Sequence, residues 1–309
     1  MTNSVNTNRS ALIALQNLNA TNRQLDETQS RVNTGKVINS AKDNGALWAV
    51  AQNQTNQMNA LEPVKQSLQR GQSTIDVAMA AGETVKDVLG QMKNLVLAAS
   101  DPGVDEASLQ AYEDDFKNLA KQIETTVKGA SFNGVNMLAG ATAADPGKSL
   151  KALASADGKN TINVDGVNFA LQATGGTSKA SINFDADAFA TARTAAAGTP
   201  AGADPDANPA VAADPDAWSD LMTQVDDSIA YVTSSLTKLG SGAKSLDNQL
   251  IFTSKLQDSL EAGIGNLVDA DLAKESAKLT ALQTKQQLGV QALSIANQSS
   301  QTLLSLFRN

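Results

Sequence analysis

The chain has 309 residues, 41% of them apolar but only 4% aromatic, with no cysteine, no histidine and a formal net charge of −8. Without cysteine or histidine there are no disulfides, thiol nucleophiles, Cys/His metal cages or imidazole acid–base groups, so neither an enzyme nor a cofactor is expected. The acidic balance speaks against nucleic acid as a partner, and no apolar run approaches the roughly 18 residues that span a bilayer, so no membrane insertion is expected.

Met1 to Arg9 is rich in Asn, Ser and Thr, and the apolar run Ala11 to Leu15 is too short for a secretory core of about 7 to 15 residues, so no cleavable signal is expected. From Asn3 to Val32, alternating steps of four and three pick out Ala11, Leu15, Leu18, Asn22, Leu25, Gln29 and Val32, the stripe of an amphipathic helix. Asn33-Thr34-Gly35 supplies its stop. An irregular connector from Val37 to Gly45 follows, and apolar helical character resumes at Ala46. This second helix is expected to run to about Ser100, with Pro63 near a break. Its seam comprises Val64, Leu68, Gly71, Ile75, Ala78, Gly82, Val85, Leu89, Met92, Val96 and Ala99. Asp101-Pro102-Gly103 ends it, and a shorter helix from Ser108 to Lys128 puts Tyr112, Phe116, Leu119, Ile123 and Val127 on one face.

Asn133-Gly134 between apolar residues is a strong hairpin signal. Composition then shifts: the segment from Ala141 to Asp220 is rich in proline and aspartate, and Ala203-Asp-Pro-Asp-Ala207 recurs as Ala213-Asp-Pro-Asp-Ala217. Thr161 to Phe169 reads as a second hairpin, turned at Asp165-Gly166. Val225, Ile229, Val232, Leu236, Leu239, Ala243, Leu246, Leu250 and Thr253 mark another long helix towards Leu260, and Gly263-Ile264-Gly265 is expected to loosen the chain after it. The closing stretch, Val268 to Phe307, carries the same rhythm: Leu272, Glu275, Leu279, Leu282, Gln286, Gly289, Leu293, Ala296, Ser300, Leu303 and Phe307.

The expected fold is therefore mainly α: an elongated, nested helical bundle or coiled coil formed by the N- and C-terminal regions, with a small central insert containing β-hairpins. A stripe this narrow buries too little apolar surface to offset the ordering of two long terminal helices, so neighbouring chains are expected to complete it. The expected assembly seam comprises Leu15, Leu18, Leu25, Val32, Leu279, Leu282, Leu293, Ala296, Leu303 and Phe307. The paired acids Asp114-Asp115 and Asp226-Asp227 point to different sides of their helices and read as solvated faces rather than acid–base dyads.

Asn6-Thr7-Asn8, Asn17-Leu18 and Arg31-Val32-Asn33-Thr34-Gly35-Lys36-Val37-Ile38-Asn39-Ser40-Ala41-Lys42-Asp43 together are similar to the N-terminal signature of the bacterial flagellin family. Phe132-Asn133-Gly134 matches a recurrent tripeptide, and Asp269-Ala270-Asp271, Ala296-Asn297-Gln298 and Leu303 to Arg308 resemble its closing helix. The connector departs from the family pattern at Asp43-Asn44-Gly45-Ala46-Leu47-Trp48-Ala49-Val50-Ala51. The resemblance implies a structural subunit that polymerises into the extracellular flagellar filament for swimming, with other copies of itself and other flagellins, an export apparatus, a chaperone, and hook-junction and cap proteins as partners. It also implies a division into a filament-core helix and connector (1–45), rod helices and hairpin (46–140), a variable surface insert (141–216), a return rod helix (217–266) and a closing filament-core helix (267–309). Thr174, Thr177, Ser178, Ser181, Thr191 and Thr194 in the insert are candidates for O-linked sugars. Two other readings remain open from the residues: a hook–filament junction protein, and an intracellular coiled-coil scaffold.

Overall fold

A computed structural model describes residues 8–139, 147–171, 182, 187–197, 214 and 216–306. In chain order the described elements are α1 (Arg9–Thr34), α2 (Gly45–Ala99), α3 (Glu106–Gly129), β1 (Ser131–Phe132), β2 (Val135–Asn136), β3 (Leu150–Leu153), β4 (Thr161–Val164), α4 (Ala188–Ala197), α5 (Ala217–Val268) and α6 (Leu272–Leu306). The fold is mainly α. It comprises two compact units, one of Met1–Asn59 with Leu256–Asn309 and one of Ala60–Lys255, and α2 and α5 each contribute a stretch to both.

In the terminal unit α1 and α6 pair antiparallel, as the bonds Asn8 to Ala296 near one end and Arg31 to Glu275 near the other require. Both helices are capped by their own sequence. Asn8 Oδ1 accepts from the Ala11 amide, and Asp271 Oδ1 accepts from the amides of Ala273 and Lys274. Each cap satisfies first-turn donors and stabilises its helix by about 1 kcal/mol. Gly35, at φ 68°, ends α1 and returns its amide to the Arg31 carbonyl. The connector is then stitched to the start of α6: Val37 donates to the Val268 carbonyl at 2.7 Å and Ala270 donates to that of Gly35 at 2.9 Å. Ile38, Ala51 and Val268 form a small apolar cluster there, flanked by Val37, Ile264 and Leu267. That cluster explains why α5 does not loosen at Gly263-Ile264-Gly265, as the two glycines alone suggest: the helix continues to Val268, because Ile264, Leu267 and Val268 need it to reach the connector.

In the central unit the expected seam of α2 is buried throughout, from Val64 to Ala99, and faces Val225, Val232, Leu239 and Leu246 of α5 together with Phe116 and Ile123 of α3. No break occurs at Pro63. The proline and Asn59, whose carbonyl loses its donor, are both exposed, so water can satisfy that carbonyl while Leu61 and Val64 hold the helix to its seam.

The first hairpin turns at Asn133-Gly134 with φ of 50° and 76°, both in the left-handed region that a two-residue turn requires. The second hairpin differs from expectation. β4 pairs with β3, in register from Leu150 opposite Val164 to Leu153 opposite Thr161, and the turn lies between them at Ser155–Asn160. Asp165-Gly166 is not a turn. Gly166 instead lies where the backbone crosses Gly147, so close that a Cβ at 166 would fall 2.1 Å from the Gly147 carbonyl oxygen. This glycine serves a close backbone approach, which sequence alone does not separate from a turn. The short helix α4 is also absent from the periodicity reading, and Phe189 holds it, packing tilted against Phe116 and edge-on against Trp218 at 5.5 and 4.9 Å between ring centroids.

Candidate functional site

With no metal-ligand set among the described residues, the chemistry-bearing feature is a surface, the α1–α6 pair. On α6 the seam follows the expected positions: Glu275 and Leu282 are buried, and Leu279, Gln286, Gly289, Leu293 and Ala296 are half-buried, while Leu272 is exposed. On α1 five of the seven expected positions hold. Ala11, Leu18, Leu25 and Val32 face the seam, but the intervening positions are Ala14, Thr21 and Thr28 (with Asn22 also turned inward) rather than Leu15 and Gln29. Leu15 is 43% exposed, whereas Thr28 is fully buried. The reason is volume. Small residues at every second seam position let the axes approach, and Gly289 does the same on the other helix: a Cβ there would stand 3.2 Å from Leu18 Cδ1.

Polar groups cross this seam. Asn8 Nδ2 donates to the Ala296 carbonyl at 2.8 Å and Gln286 Nε2 donates to Asn22 Oδ1 at 2.9 Å. Arg31 lies between two carboxylates, Glu27 on its own helix and Glu275 on α6, the latter 3.5 Å away. Among the described residues, Thr28 Oγ1, Arg31 Nε and Glu275 Oε2 are buried without a hydrogen-bond partner. Each such atom costs about 1 to 3 kcal/mol, so this end of the seam is retained at a cost in stability.

The seam leaves large apolar side chains facing solvent. Leu12, Ile13 and Leu15 on α1, and Leu288, Val290 and Ile295 on α6, are between 43% and 67% exposed. Leu288 and Ile295 are two turns apart and share one face of α6. Leu47, Trp48 and Val50 add a third exposed group at the start of α2. Scattered apolar residues are ordinary on a solvated protein, whereas here they stand in runs on paired helices.

The connector leading to that group is fixed by Asp43. Its carboxylate accepts from the amides of Ser40 and Asn39 and from the Ser40 hydroxyl. Those bonds, the Ser40 amide foremost, hold its carboxyl below the usual carboxylate range. Asn44 Oδ1 then accepts from the Leu47 amide and starts α2.

Known families match both ends of the chain. The bacterial flagellin N-terminal helical region matches residues 5–143, and the bacterial flagellin C-terminal helical region matches residues 222–307. The chain belongs to the bacterial flagellin family. Flagellin FljM of Caulobacter vibrioides is 50% identical over 306 residues, covering 99% of both chains. Flagellin C of Rhizobium meliloti is 36% identical over 324 residues, again covering 99% of each. A crystal structure of Bacillus cereus flagellin is similar with a TM-score of 0.41 at 16% identity, covering 60% of this chain and 87% of that one.

The remaining expected sites of this flagellin fall as follows. Leu303 lies within α6, but side chains beyond residue 298 are outside the described set, and so is Phe307 altogether. Thr174, Thr177, Ser178 and Ser181 also lie outside the described residues, as does the first copy of the Asp-Pro-Asp loop. Thr191 and Thr194 are exposed on α4, where their hydroxyls donate to the carbonyls of Asp187 and Ala190. Asp114, Asp115, Asp226 and Asp227 are all exposed, and Asp226 pairs with Lys93 at 2.6 Å. Sequence reading missed Glu113. This carboxylate is buried in α3 and takes both Lys117 at 2.8 Å and Arg193 of α4 at 2.9 Å, clamping the insert helix to the central unit. The sequence did carry a signal: Glu113 stands three residues before Phe116 on the face that also buries Ala120, Ile123 and Val127, whereas Asp114 beside it does not, and Lys117 follows four residues later on the same helix. Among the described residues no helix is long and apolar enough to cross a membrane.

Proposed function

We infer that the chain polymerises with copies of itself through the faces of α1 and α6 that their mutual seam leaves uncovered. As a flagellin it is a structural subunit of the bacterial flagellar filament, the extracellular assembly that serves swimming motility. The observation that carries the inference is the combination on one helix pair of a thin seam and exposed large apolar residues. Burying those residues against neighbours supplies stabilisation that the pair lacks alone, and a filament needs such contacts to be heterologous, so that they propagate without closing.

The same reading assigns residues 1–45 and 267–309 to the filament core, 46–140 and 217–266 to the rod, and 141–216 to the outer surface. It includes Leu15 as an inter-subunit contact, which its exposure favours, and Leu303 and Phe307 as further ones. It adds passage through the flagellar export apparatus with a chaperone, contact with hook-junction and cap proteins, and O-linked sugars on exposed hydroxyls such as Thr191 and Thr194. Purified monomer added to filament seeds and viewed by electron microscopy tests it. Elongation of the seeds is the expected result. A stable folded dimer with no elongation would overturn the reading in favour of a scaffold.

A further inference from the structure

We propose that the basic face of α6, formed by Lys274, Lys278 and Lys285, docks on the acidic face at the end of α5, formed by Asp258, Glu261 and Asp269, in a second copy of this chain, and that this contact gives the polymer its direction. The proposal rests on the polymerisation inferred above and names a partner surface that the apolar faces alone do not. Charge is segregated along this part of the terminal unit. From Leu256 to Asp271 every charged residue is an acid, and from Leu272 to Gln298 every exposed one is a lysine. On α1, by contrast, Arg23 stands close to Asp26 and Glu27. Lys274, Lys278 and Lys285 are one turn and then two turns apart, on one face of α6, and Asp258, Glu261 and Asp269 follow one face along α5 and just past its end.

All six side chains are exposed, and among the described residues none of them forms an ion pair; the pairs of this unit join Arg31 to Glu27 and Glu275. Like charges one turn apart weaken a helix, so each face is a cost in the single chain that an opposite face removes. The acidic face also has the shape for lysine. Ala262, Gly265 and Asn266 lie between its carboxylates in an open groove, and Asp269 folds over Gly265, where a Cβ would stand 2.7 Å from its Oδ2. That floor of small residues leaves room for the apolar stem of a lysine whose ammonium reaches the carboxylates. Among the described residues the acids do not converge as a metal-ligand set, which separates this face from a cation site. Two different faces of one chain that complement each other make a heterologous contact, which adds copies in one direction without closing. Apolar patches are alike in kind and set no such polarity, whereas like-charged faces exclude the wrong pairing.

Charge reversal tests this in the full-length protein. Lys278→Glu with Lys285→Glu turns the α6 face acidic, so that both faces repel, and Asp258→Lys with Glu261→Lys turns the α5 face basic to the same effect. Asp269 and Lys274 stay unchanged, since the first bridges Lys36 through its backbone and the second is held by the Asp271 cap. Each double variant, and an equimolar mixture of the two, is added to parent seeds at about 0.02 M salt, where exposed charges are little screened. Elongation is followed by sedimentation and electron microscopy, and circular dichroism checks that each variant keeps the parent's helix content. Either variant alone should need at least about tenfold more chain than the parent to elongate. The mixture should elongate within about threefold of the parent, because at every contact the acidic face of one variant meets the basic face of the other. Misfolded variants would not rescue each other, so rescue separates charge from folding. A single variant that elongates like the parent, or a mixture no better than its components, would overturn the docking proposal and leave polymerisation standing. Failure of the parent itself to elongate would overturn the polymerisation reading, and this contact with it.

Discussion

Leu288 and Ile295 give the assembly surface a quantitative test. They share one face of α6 and are 58% and 67% exposed in the single chain. Full burial of a Leu or Ile side chain contributes about 1.5 to 3 kcal/mol, and roughly three-fifths of that area remains to be covered at each, so the pair offers about 2 to 4 kcal/mol to a polymer contact. At about 1.4 kcal/mol per factor of ten, replacing both by serine should raise the critical concentration for seeded elongation roughly 30-fold to several-hundred-fold. Because neither side chain contributes to a core in the single chain, the unfolding free energy of the monomer should stay within about 0.5 kcal/mol of the parent. Sedimentation of filaments at graded monomer concentrations gives the first number and circular dichroism in urea the second. An unchanged critical concentration would refute the assignment of this face to inter-subunit contact. A monomer that loses helix would show instead that the two residues belong to an intramolecular core.

Other consequences concern the insert and the connector. Gly166→Ala places a Cβ against the Gly147 carbonyl and should destabilise the central unit by about 1 to 3 kcal/mol, read as a lower urea midpoint, while leaving seeded elongation intact. Phe189→Ala removes a fully buried ring between Phe116 and Trp218 and should cost about 3 to 5 kcal/mol, with the change visible in Trp218 fluorescence. Asp43 has its carboxyl lowered in the folded connector, so its contribution is present above the ordinary carboxylate range and is lost as pH falls through the lowered value. Relative to the intrinsic exchange rate at each pH, protection of the Asn39 and Ser40 amides should therefore fall as pH drops through the lowered value, and Asp43→Ala should remove it already at neutral pH.

The central unit was legible where one residue type answered one question. Every seam position read for α2 is buried; on α5 Val225, Val232, Leu239, Leu246 and Thr253 are buried as read, whereas Ile229, Leu236, Ala243 and Leu250 are half-buried and the small Ser228 and Ser235 beside them take fully buried places. Legibility failed where glycine has more than one use. Asn133-Gly134 turns a hairpin, whereas Asp165-Gly166 is a backbone crossing and Gly263-Ile264-Gly265 is ordinary helix. The dipeptide carries the permission for an unusual conformation but not the identity of the segment that comes close. The clamp that Glu113 makes was hidden for a related reason: its two cations lie on two elements, and Arg193 is distant in sequence.

The terminal seam shows a different limit. Between Ala14 and Leu15, and between Thr28 and Gln29, apolar size or heptad counting points to the wrong member of each pair, because a tight helix pair selects small residues inward and turns the larger ones out. In a protein that folds alone, putting Leu15 outside and Ala14 inside would waste apolar burial. Here the inversion fits the proposed polymerisation: the inner faces are thin enough for close approach, and the leucines and isoleucines left on the outer faces are available to a neighbouring copy. A sequence pattern read one chain at a time assigns each apolar residue to one core, whereas on the proposed polymerisation these helices divide theirs between two.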